Sequence, residues 1–222
     1  MKDNSTPQLS NPEIALIDLS YTQRQVVIGS AIGDGCIKKQ KLHSFLQVSH
    51  AKDQLEWVNH KSFLLGELVT KGVQERKPSG KNRQNIVEFR TFPNKEINEI
   101  YLKTYKTEGR TIKELIPEID EIALSIIWGD DGSYGKVHGK YEYGILSTCA
   151  YSLEDNQLFS KHLTERFGIQ NSVCKKKSYN KQYHQIRINK HGIKTLREII
   201  ESHLPSSMLY KIGGQQNESS LN

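Results

Sequence analysis

The chain has 222 residues, of which 36% are hydrophobic and 25% charged, a composition that can bury a core in one large domain or two small ones. Its mean hydropathy of −0.62 and the lack of an apolar run of roughly 18 residues argue against a membrane-spanning helix. The three cysteines form no CxxC pair, which argues against a zinc site or a disulfide framework, and the net charge of +6 suits a polyanionic partner without requiring one.

The predicted elements begin after residues 1–13, which we expect to form a disordered tail without the apolar segment of a secretory signal. An apolar, helix-like run, VVIGSAIGDGC, ends in Asp34 and Gly35. It is followed by a hairpin containing LQVSHA, a helix over KDQLEWVNHKSFLLGELV, a basic hairpin over GVQERKPSGKNRQNIVEFRTF and a helix over NKEINEIYLKTY. The first half, residues 14–112, therefore consists of helix, hairpin, helix, hairpin and helix.

The second half, residues 113–212, repeats this order, and we expect residues 213–222 to form a flexible tail. Its first helix lies within LSIIWGDDGSY and ends at Gly132, 97 residues after Gly35. It is followed by a hairpin containing LSTCAY, a helix over SLEDNQLFSKHLTERFG, a basic hairpin over SVCKKKSYNKQYHQIRINK and a helix over HGIKTLREIIESHL. We therefore predict an α+β fold of two αββαββα units related by a pseudo-twofold axis, each with a saddle-shaped antiparallel sheet.

Small residues recur four apart in the two helices that begin the halves. Gly29 and Gly33 share one face of the first helix, and Ser125 and Gly129 share one face of the second. Because small side chains let two helix backbones approach closely, we predict that these four residues pack the helices against each other at the pseudo-twofold axis.

That packing would bring two acids together at the ends of the helices. Asp34 and Asp131 each precede a glycine that can stop the helix, and a carboxylate there opposes the negative end of the helix dipole. Like-charge repulsion between the acids adds to this penalty, and a divalent cation removes both effects. The candidate metal-site residues are Asp34, Asp131, Gly33 and Asp130, although register makes Asp130 the neighbour of the ligand.

The same two segments carry a resemblance to a known family. VIGSAIGDG, residues 27–35, and LSIIWGDDG, residues 124–132, look like two LAGLIDADG motifs, and residues 14–212 resemble a monomeric, two-motif LAGLIDADG homing endonuclease. Several motif positions differ from the namesake, but both keep the acid at the eighth position and the final glycine. The resemblance implies that Asp34 and Asp131 bind Mg²⁺ and that each half serves one DNA strand.

The resemblance also implies supporting catalytic residues. Gln47 matches the strand glutamine of the family, with the shorter Ser147 as its repeat mate, and Lys211 fits a lysine that follows the last helix in relatives. Arg110 lies 101 residues earlier as the counterpart of Lys211. Arginine keeps its proton, so it can stabilise charge on a phosphorane but cannot act as a base. An ordinary strand amide for Gln47 and a solvated cation for Lys211 are the alternatives.

Basic residues recur in equivalent hairpins of both halves. On a strand, alternate residues share a face, so one face of each curved sheet could meet the DNA major groove while the other packs under helices. A solvated lysine-rich face is the alternative for such a run alone. The candidate DNA-binding residues are Lys38, Lys39, Lys41, Arg76, Lys77, Lys81, Arg83, Arg90, Lys136, Lys140, Lys175, Lys176, Lys177, Tyr179, Lys181, Tyr183, His184, Gln185 and Arg187.

The function implied by the resemblance is a staggered, Mg²⁺-dependent double-strand break in a long DNA site, leaving 5′-phosphate and 3′-hydroxyl ends. Two or three divalent ions are expected, with Mn²⁺ substituting and Ca²⁺ binding without supporting cleavage. The expected partner is double-stranded DNA, with host intron RNA as a further candidate and no membrane. The protein is expected to be monomeric and intracellular, in a bacterial cytoplasm or an organelle. An intron RNA maturase or a non-cleaving DNA-binding protein on the same fold is the alternative.

Overall fold

The protein forms the predicted duplicated α+β architecture. The structure, a computed structural model, describes residues 17–41, 43–77, 85–107, 109–178 and 181–214. The first half contains α1 (Tyr21–Ile32), β1 (Cys36–Gln40), β2 (His43–Ala51), α2 (Leu55–Leu65), β3 (Gln74–Arg76), β4 (Ile86–Arg90) and α3 (Lys95–Thr104). A short ribbon, β5 (Tyr105–Lys106) with β6 (Gly109–Arg110), connects the halves.

The second half repeats the same order of elements. It contains α4 (Glu121–Asp131), β7 (Gly132–Val137), β8 (Tyr141–Leu146), α5 (Leu153–Phe167), β9 (Asn171–Ser178), β10 (Lys181–Ile188) and α6 (Lys190–Ile200). The two sheets are antiparallel with orders β1-β2-β4-β3 and β7-β8-β10-β9, which correspond strand for strand. None of the helices in the described ranges combines the length and apolarity that a membrane span requires.

Helices α1 and α4 lie at the centre of the molecule. Ser20 and Gln23 form a capping box at the start of α1, and the Asp120 side chain accepts the Ala123 N–H at the start of α4. Both helices are buried on nearly all sides, because they pack against each other and also under other elements of their own halves. The sequences of α1 and α4 accordingly lack the one-sided apolar stripe that the surface helix α6 has.

The central contact uses only part of the predicted small-residue set. A Cβ atom on Gly29 would lie 2.7 Å from the Cβ of Ile126 and 2.8 Å from the carbonyl oxygen of Ala123, and one on Gly33 would lie 2.6 Å from Oδ2 of Asp130. The two glycines therefore face α4. The prediction for Gly129 is wrong, because a Cβ there would meet the Trp57 ring of α2 at 2.3 Å rather than helix α1.

Ser125 is the remaining member of that set. It is buried, and its hydroxyl donates within α4 to the carbonyl of Ile122 at 2.7 Å. The residues of α4 that lie opposite the two glycines of α1 are thus Ile126 and Asp130, one of them a large apolar side chain and the other an acid.

Gly29→Ala tests the close approach of the two helices. Helix propensity alone would stabilise the alanine variant by about 1 kcal/mol, whereas the collision with Ile126 and the Ala123 backbone should destabilise it by about 1–3 kcal/mol. We expect the collision to dominate, with a lower free energy of unfolding in a denaturant titration. Phe63→Ala, at an 83% exposed position on α2, should change stability by no more than about 0.5 kcal/mol. A Gly29→Ala variant more stable than the parent would contradict the packing.

Candidate active site

The ends of α1 and α4 bring the two motif acids into one electrostatic cluster. Asp34 follows the end of α1 with a half-exposed side chain, and Asp131 is the last residue of α4. Burial raises the pKa of Asp131 to about 7, and the negative charges of Asp34 and Asp130 contribute to that rise. A carboxyl group whose ionisation is opposed by its neighbours has the electrostatics of a cation site.

A basic side chain lies at the carboxyl end of each central helix. The Lys211 Nζ donates to the carbonyls of Gly129 at 2.6 Å and Asp130 at 3.0 Å. The Arg110 Nη2 donates to the carbonyl of Ala31 and, at 3.4 Å, to that of Gly33. The two cations thus cap corresponding ends of the helices, where the dipole is negative.

These cations are held in partly buried positions. Burial lowers the pKa of Lys211, while the nearby Asp130, Asp34 and Asp131 oppose that shift. The Arg110 guanidinium lies 5.3 Å from the ring centre of Tyr151 and 5.9 Å from that of Tyr105. The Tyr151 hydroxyl donates to the carbonyl of Ile32 at 2.6 Å, which fixes the Tyr151 ring beside the end of α1. Tyr151 is a site residue that the motif analysis did not identify.

Asp130 differs from the other acids because its side chain is completely buried and both of its carboxylate oxygens accept hydrogen bonds. Its Oδ1 accepts from the Lys61 Nζ at 2.8 Å and the Trp57 Nε1 at 2.7 Å, and its Oδ2 accepts the backbone N–H of Asp34 at 3.1 Å. Burial alone would raise the pKa of Asp130, but the positive charges and hydrogen-bond donors around it lower it below its ordinary value. Asp130 is therefore an internal counter-ion.

His50 completes this buried cluster. Its Nε2 lies 2.9 Å from the Lys61 Nζ, and its Nδ1 lies 3.8 Å from Oδ2 of Asp34. Burial and the Lys61 charge lower the pKa of His50. Because an ammonium group can only donate, Nε2 of the neutral ring accepts and the ring proton lies on Nδ1, facing Asp34.

One candidate metal group occurs among the described residues: Asp34, His50 and Asp130 place one ligand atom each within 4.8 Å of one another. The Lys61 Nζ already bridges the His50 and Asp130 atoms. The Asp130 carboxylate accepts from Lys61, Trp57 and the Asp34 N–H, and its membership of a metal site stays a prediction. The carbonyl of Gly33, the other predicted member of the metal site, accepts from the Arg110 Nη2 at 3.4 Å.

The predicted strand glutamine lies on the open face of the first sheet. The Gln47 Nε2 donates to Glu88 at 3.1 Å, while its buried Oε1 has no partner within the described part of the chain. Glu88 also pairs with the Arg76 Nε at 2.8 Å. In the second half, the backbone N–H of Ser147 donates to the carbonyl of Asp131 at 3.0 Å. Glu88 organises this face and was not predicted from the sequence.

The strand registers divide the predicted DNA-binding residues between the two faces of each sheet. In the first sheet, Cys36 opposes Gln47, Gln47 opposes Arg90, and Arg76 opposes Ile86, so these positions share the open face. In the second sheet, Gln185 shares the open face with Arg187, which opposes Ile145, and with Tyr143, which opposes Gly135. The predicted residues on the open faces are Lys38, Arg76, Arg90, Lys176, Lys181, Tyr183, Gln185 and Arg187.

Several predicted residues lie on the face that carries the core instead. Lys39 pairs with buried Ser44, and Lys136 bonds Glu142 at 3.3 Å on the face of buried Leu146. Strand alternation puts Lys175, Lys177 and His184 on the face of buried Ile186. These five residues are therefore one residue out of phase with the open face, and their DNA binding stays a prediction.

The remaining predicted residues lie in connections. Lys41, Lys77 and Lys140 are exposed beside strand ends. Lys81, Arg83 and Tyr179 lie outside the described residues. The exposed face of Arg187 carries one further aromatic side chain, since its guanidinium lies 4.7 Å from the ring centre of Tyr143.

The raised pKa of Asp131 predicts how stability depends on pH without metal. A pKa near 7 in the folded state, against about 3.9 unfolded, means that the folded protein binds more protons between these values. The contribution of Asp131 to stability is therefore lost as pH rises from about 4 to 7. In EDTA, the free energy of unfolding of Asp131→Asn minus that of the parent should grow from pH 5 to pH 8. A difference that shrinks over this range would contradict the raised pKa.

Comparison with known proteins agrees with this geometry. Residues 24–196 match the model of the LAGLIDADG DNA endonuclease family. Over 132 residues, 56% of this chain, the sequence is 26% identical to a Mycosarcoma maydis protein named probable intron-encoded DNA endonuclease 3, of which the match covers 90%.

Two solved structures have the same fold. The homing endonuclease I-WcaI bound to its DNA recognition sequence aligns with a TM-score of 0.76 at 22% identity, covering 90% of this chain and 89% of that chain. I-DmoI in complex with DNA and Mn aligns with a TM-score of 0.50 at 16% identity, covering 83% and 100%. The family predicted from residues 27–35 and 124–132 is thereby confirmed. Since the family model spans most of its length, the chain belongs to the LAGLIDADG DNA endonuclease family.

Proposed function

We propose that the protein is a homing endonuclease that recognises a long DNA site and makes a staggered double-strand break, leaving 5′-phosphate and 3′-hydroxyl ends. The observation that carries this proposal is the position of Asp34 and Asp131 at the ends of the two central helices, where burial, together with the negative charges of Asp34 and Asp130, raises the pKa of Asp131 to about 7. The relatives support it, since one is named an intron-encoded DNA endonuclease and another was solved on its DNA recognition sequence.

The acids fit divalent cations. Their donors are hard carboxylate oxygens, and the high pKa of Asp131 is relieved by a nearby positive charge. We propose that Asp34 and Asp131 hold two or three Mg²⁺ ions, with Mn²⁺ substituting and Ca²⁺ binding without cleavage; I-DmoI was solved in complexes with DNA and Mn or Ca. When bound, these ions supply positive charge that polarises the scissile phosphate and helps to ionise the attacking water.

The chain's own groups complete the reaction. Lys211 and Arg110 are fixed at the ends of the two central helices, where their charges can stabilise the additional negative charge that develops on the phosphate. The Gln47 amide is fixed by Glu88, which leaves its Oε1 available to order a water molecule. The open faces of both sheets supply cations for backbone phosphates and polar groups for base edges.

The two halves, residues 14–112 and 113–212, each contribute one acid, one sheet and one capping cation. One monomer therefore carries the groups needed to bind both halves of a DNA site. We propose that the protein acts as an intracellular monomer. Because the Mycosarcoma maydis relative is named as intron-encoded, we also propose that the gene lies within an intron and that the target is the host sequence joined across it.

Incubation of the purified protein with a plasmid carrying this joined sequence tests the proposal. We expect linear product in Mg²⁺ or Mn²⁺ and uncut plasmid in EDTA or Ca²⁺, with ends that DNA ligase rejoins without prior phosphorylation. A doubly substituted protein, Asp34→Asn with Asp131→Asn, purified in parallel, controls for contaminating nuclease. Intact plasmid with the parent protein in Mg²⁺, or equal cutting by the double variant, would contradict the proposal. Splicing of the intron RNA stimulated by that inactive variant would instead favour a maturase.

A further inference from the structure

The two central helices differ at one repeat-equivalent position. Gly33 in α1 and Asp130 in α4 both immediately precede a motif acid. Gly33 has no side chain, and a Cβ atom there would lie 2.6 Å from Oδ2 of Asp130. The space that Gly33 leaves is therefore filled by a carboxylate from the other half of the protein.

The helix ends differ as well. Helix α4 extends through Asp131, whereas α1 ends at Ile32, two residues before Asp34. The Asp34 N–H lies beyond the helix and donates to Oδ2 of Asp130 at 3.1 Å. Asp131 is fixed by its own helix, and Gly33 offers no side chain that could reciprocate this contact.

The Asp130 carboxylate is itself rigidly held. Lys61 and Trp57 donate to Oδ1 at 2.8 and 2.7 Å, and the side chains of Lys61 and Asp130 are both fully buried. The same Lys61 orients His50, whose Nδ1 faces the Asp34 carboxylate. Both the backbone and the side chain of Asp34 are thus flanked by one charged cluster.

We propose that Asp130 is a positioning residue that the second half supplies to the first: it fixes Asp34 through the backbone N–H, while Asp131 depends on its own helix. The kinetic consequence rests on the proposed function, in which each half serves one strand. Loss of Asp130 then slows the strand served by Asp34 more than the strand served by Asp131.

Asp130→Asn separates this role from general packing. An amide has one acceptor oxygen, and the side with the Lys61 and Trp57 donors retains it, so the NH₂ group faces the Asp34 N–H and the hydrogen bond is lost. Ile97→Val, on the buried face of α3, provides a control with a modest loss of stability outside the Lys61–Asp130–His50 cluster.

The kinetic test uses a linear duplex that carries the target site, with each strand end-labelled in turn. Since a misplacement of about 1 Å can cost a reaction up to about 100-fold, Asp130→Asn should change the ratio of the two strand-cleavage rates by about 10- to 100-fold, with duplex nicked in one strand accumulating. Ile97→Val should leave the ratio at the parental value. Equal slowing of both strands by Asp130→Asn would overturn the proposal.

A second measurement needs neither metal nor DNA. In the ¹⁵N spectrum of the metal-free protein, the Asp34 amide proton should move upfield in Asp130→Asn, as expected when a carboxylate acceptor is lost, while Ile97→Val leaves it unchanged. An unmoved Asp34 resonance would overturn the positioning role. A failure of the proposed function would appear differently, as uncut target with the parent protein, and would leave the spectral result intact.

Discussion

Replacing Lys61 by methionine is expected to lower the free energy of unfolding by about 3–5 kcal/mol, because it leaves the fully buried Asp130 carboxylate without its cation. Methionine retains most of the side-chain volume, so the loss of stability measures the removal of the positive charge rather than the creation of a cavity. Chemical denaturation at pH 7.5 in EDTA measures it.

Two variants control for this result. Lys52→Met breaks a similar contact, 2.9 Å from Glu75, in which both side chains are about half exposed, and it should cost less than about 1 kcal/mol. Adding Asp130→Asn to Lys61→Met removes both charges and should recover part of the lost stability. Equal effects of Lys52→Met and Lys61→Met would mean that the buried pair is not stabilising in the manner described.

The second large effect concerns catalysis. Asp34→Asn and Asp131→Asn should each reduce double-strand cleavage by about 1,000-fold or more, since several kcal/mol of metal-dependent stabilisation is lost and each 1.36 kcal/mol is tenfold in rate. DNA affinity measured in Ca²⁺-free buffer should remain within a few-fold of the parent or improve, because one negative charge near the phosphates is removed. Single-turnover cleavage and fluorescence anisotropy measure the two quantities.

Stability separates this catalytic loss from misfolding. The raised pKa of Asp131 means that its ionised form destabilises the metal-free fold, so Asp131→Asn should be inactive but at least as stable as the parent at pH 8. Asp53→Asn, at an exposed position outside the cluster, should cleave at the parental rate. Activity of Asp131→Asn within tenfold of the parent would argue that this acid does not hold the ion.

The sequence predicted the architecture because the same physical pattern occurs twice. Two glycine-containing apolar runs, each followed by alternating hairpins and helices at spacings of 97–100 residues, allow few arrangements other than a duplicated α+β fold. The matching strand orders of the two sheets follow from this repetition. The motif acids were identified from the sequence because an acid at a helix carboxyl end is locally unfavourable and so requires a partner.

Sequence alone was less reliable where a single-residue phase decides the outcome. In β9, the prediction included Lys175, Lys176 and Lys177, yet the register puts only Lys176 of these three on the open face, because side chains alternate along a strand. Similarly, the approach of Gly29 to Ile126 rotates Gly129 away from α1 and toward Trp57. Such choices are set by tertiary packing rather than by local composition.

The buried lysine could have been found. Lys61 occurs four residues after Trp57 and four before Leu65 in α2, so it lies on the apolar stripe of its helix rather than on the polar face. A lysine there needs a buried anion. Asp130, an additional acid beside a motif position, is the corresponding signal from the other half, although only the fold brings the two together.

The Lys61–Asp130 pair makes the halves chemically unequal despite their common topology. A homodimer of first halves would bury two ammonium groups with no acid at the crossing, and a homodimer of second halves would bury two carboxylates with no ammonium. A chimera that takes one half from a relative must therefore still contain both Lys61 and Asp130. New DNA specificities are better built by substitutions in the sheets than by exchanging whole halves.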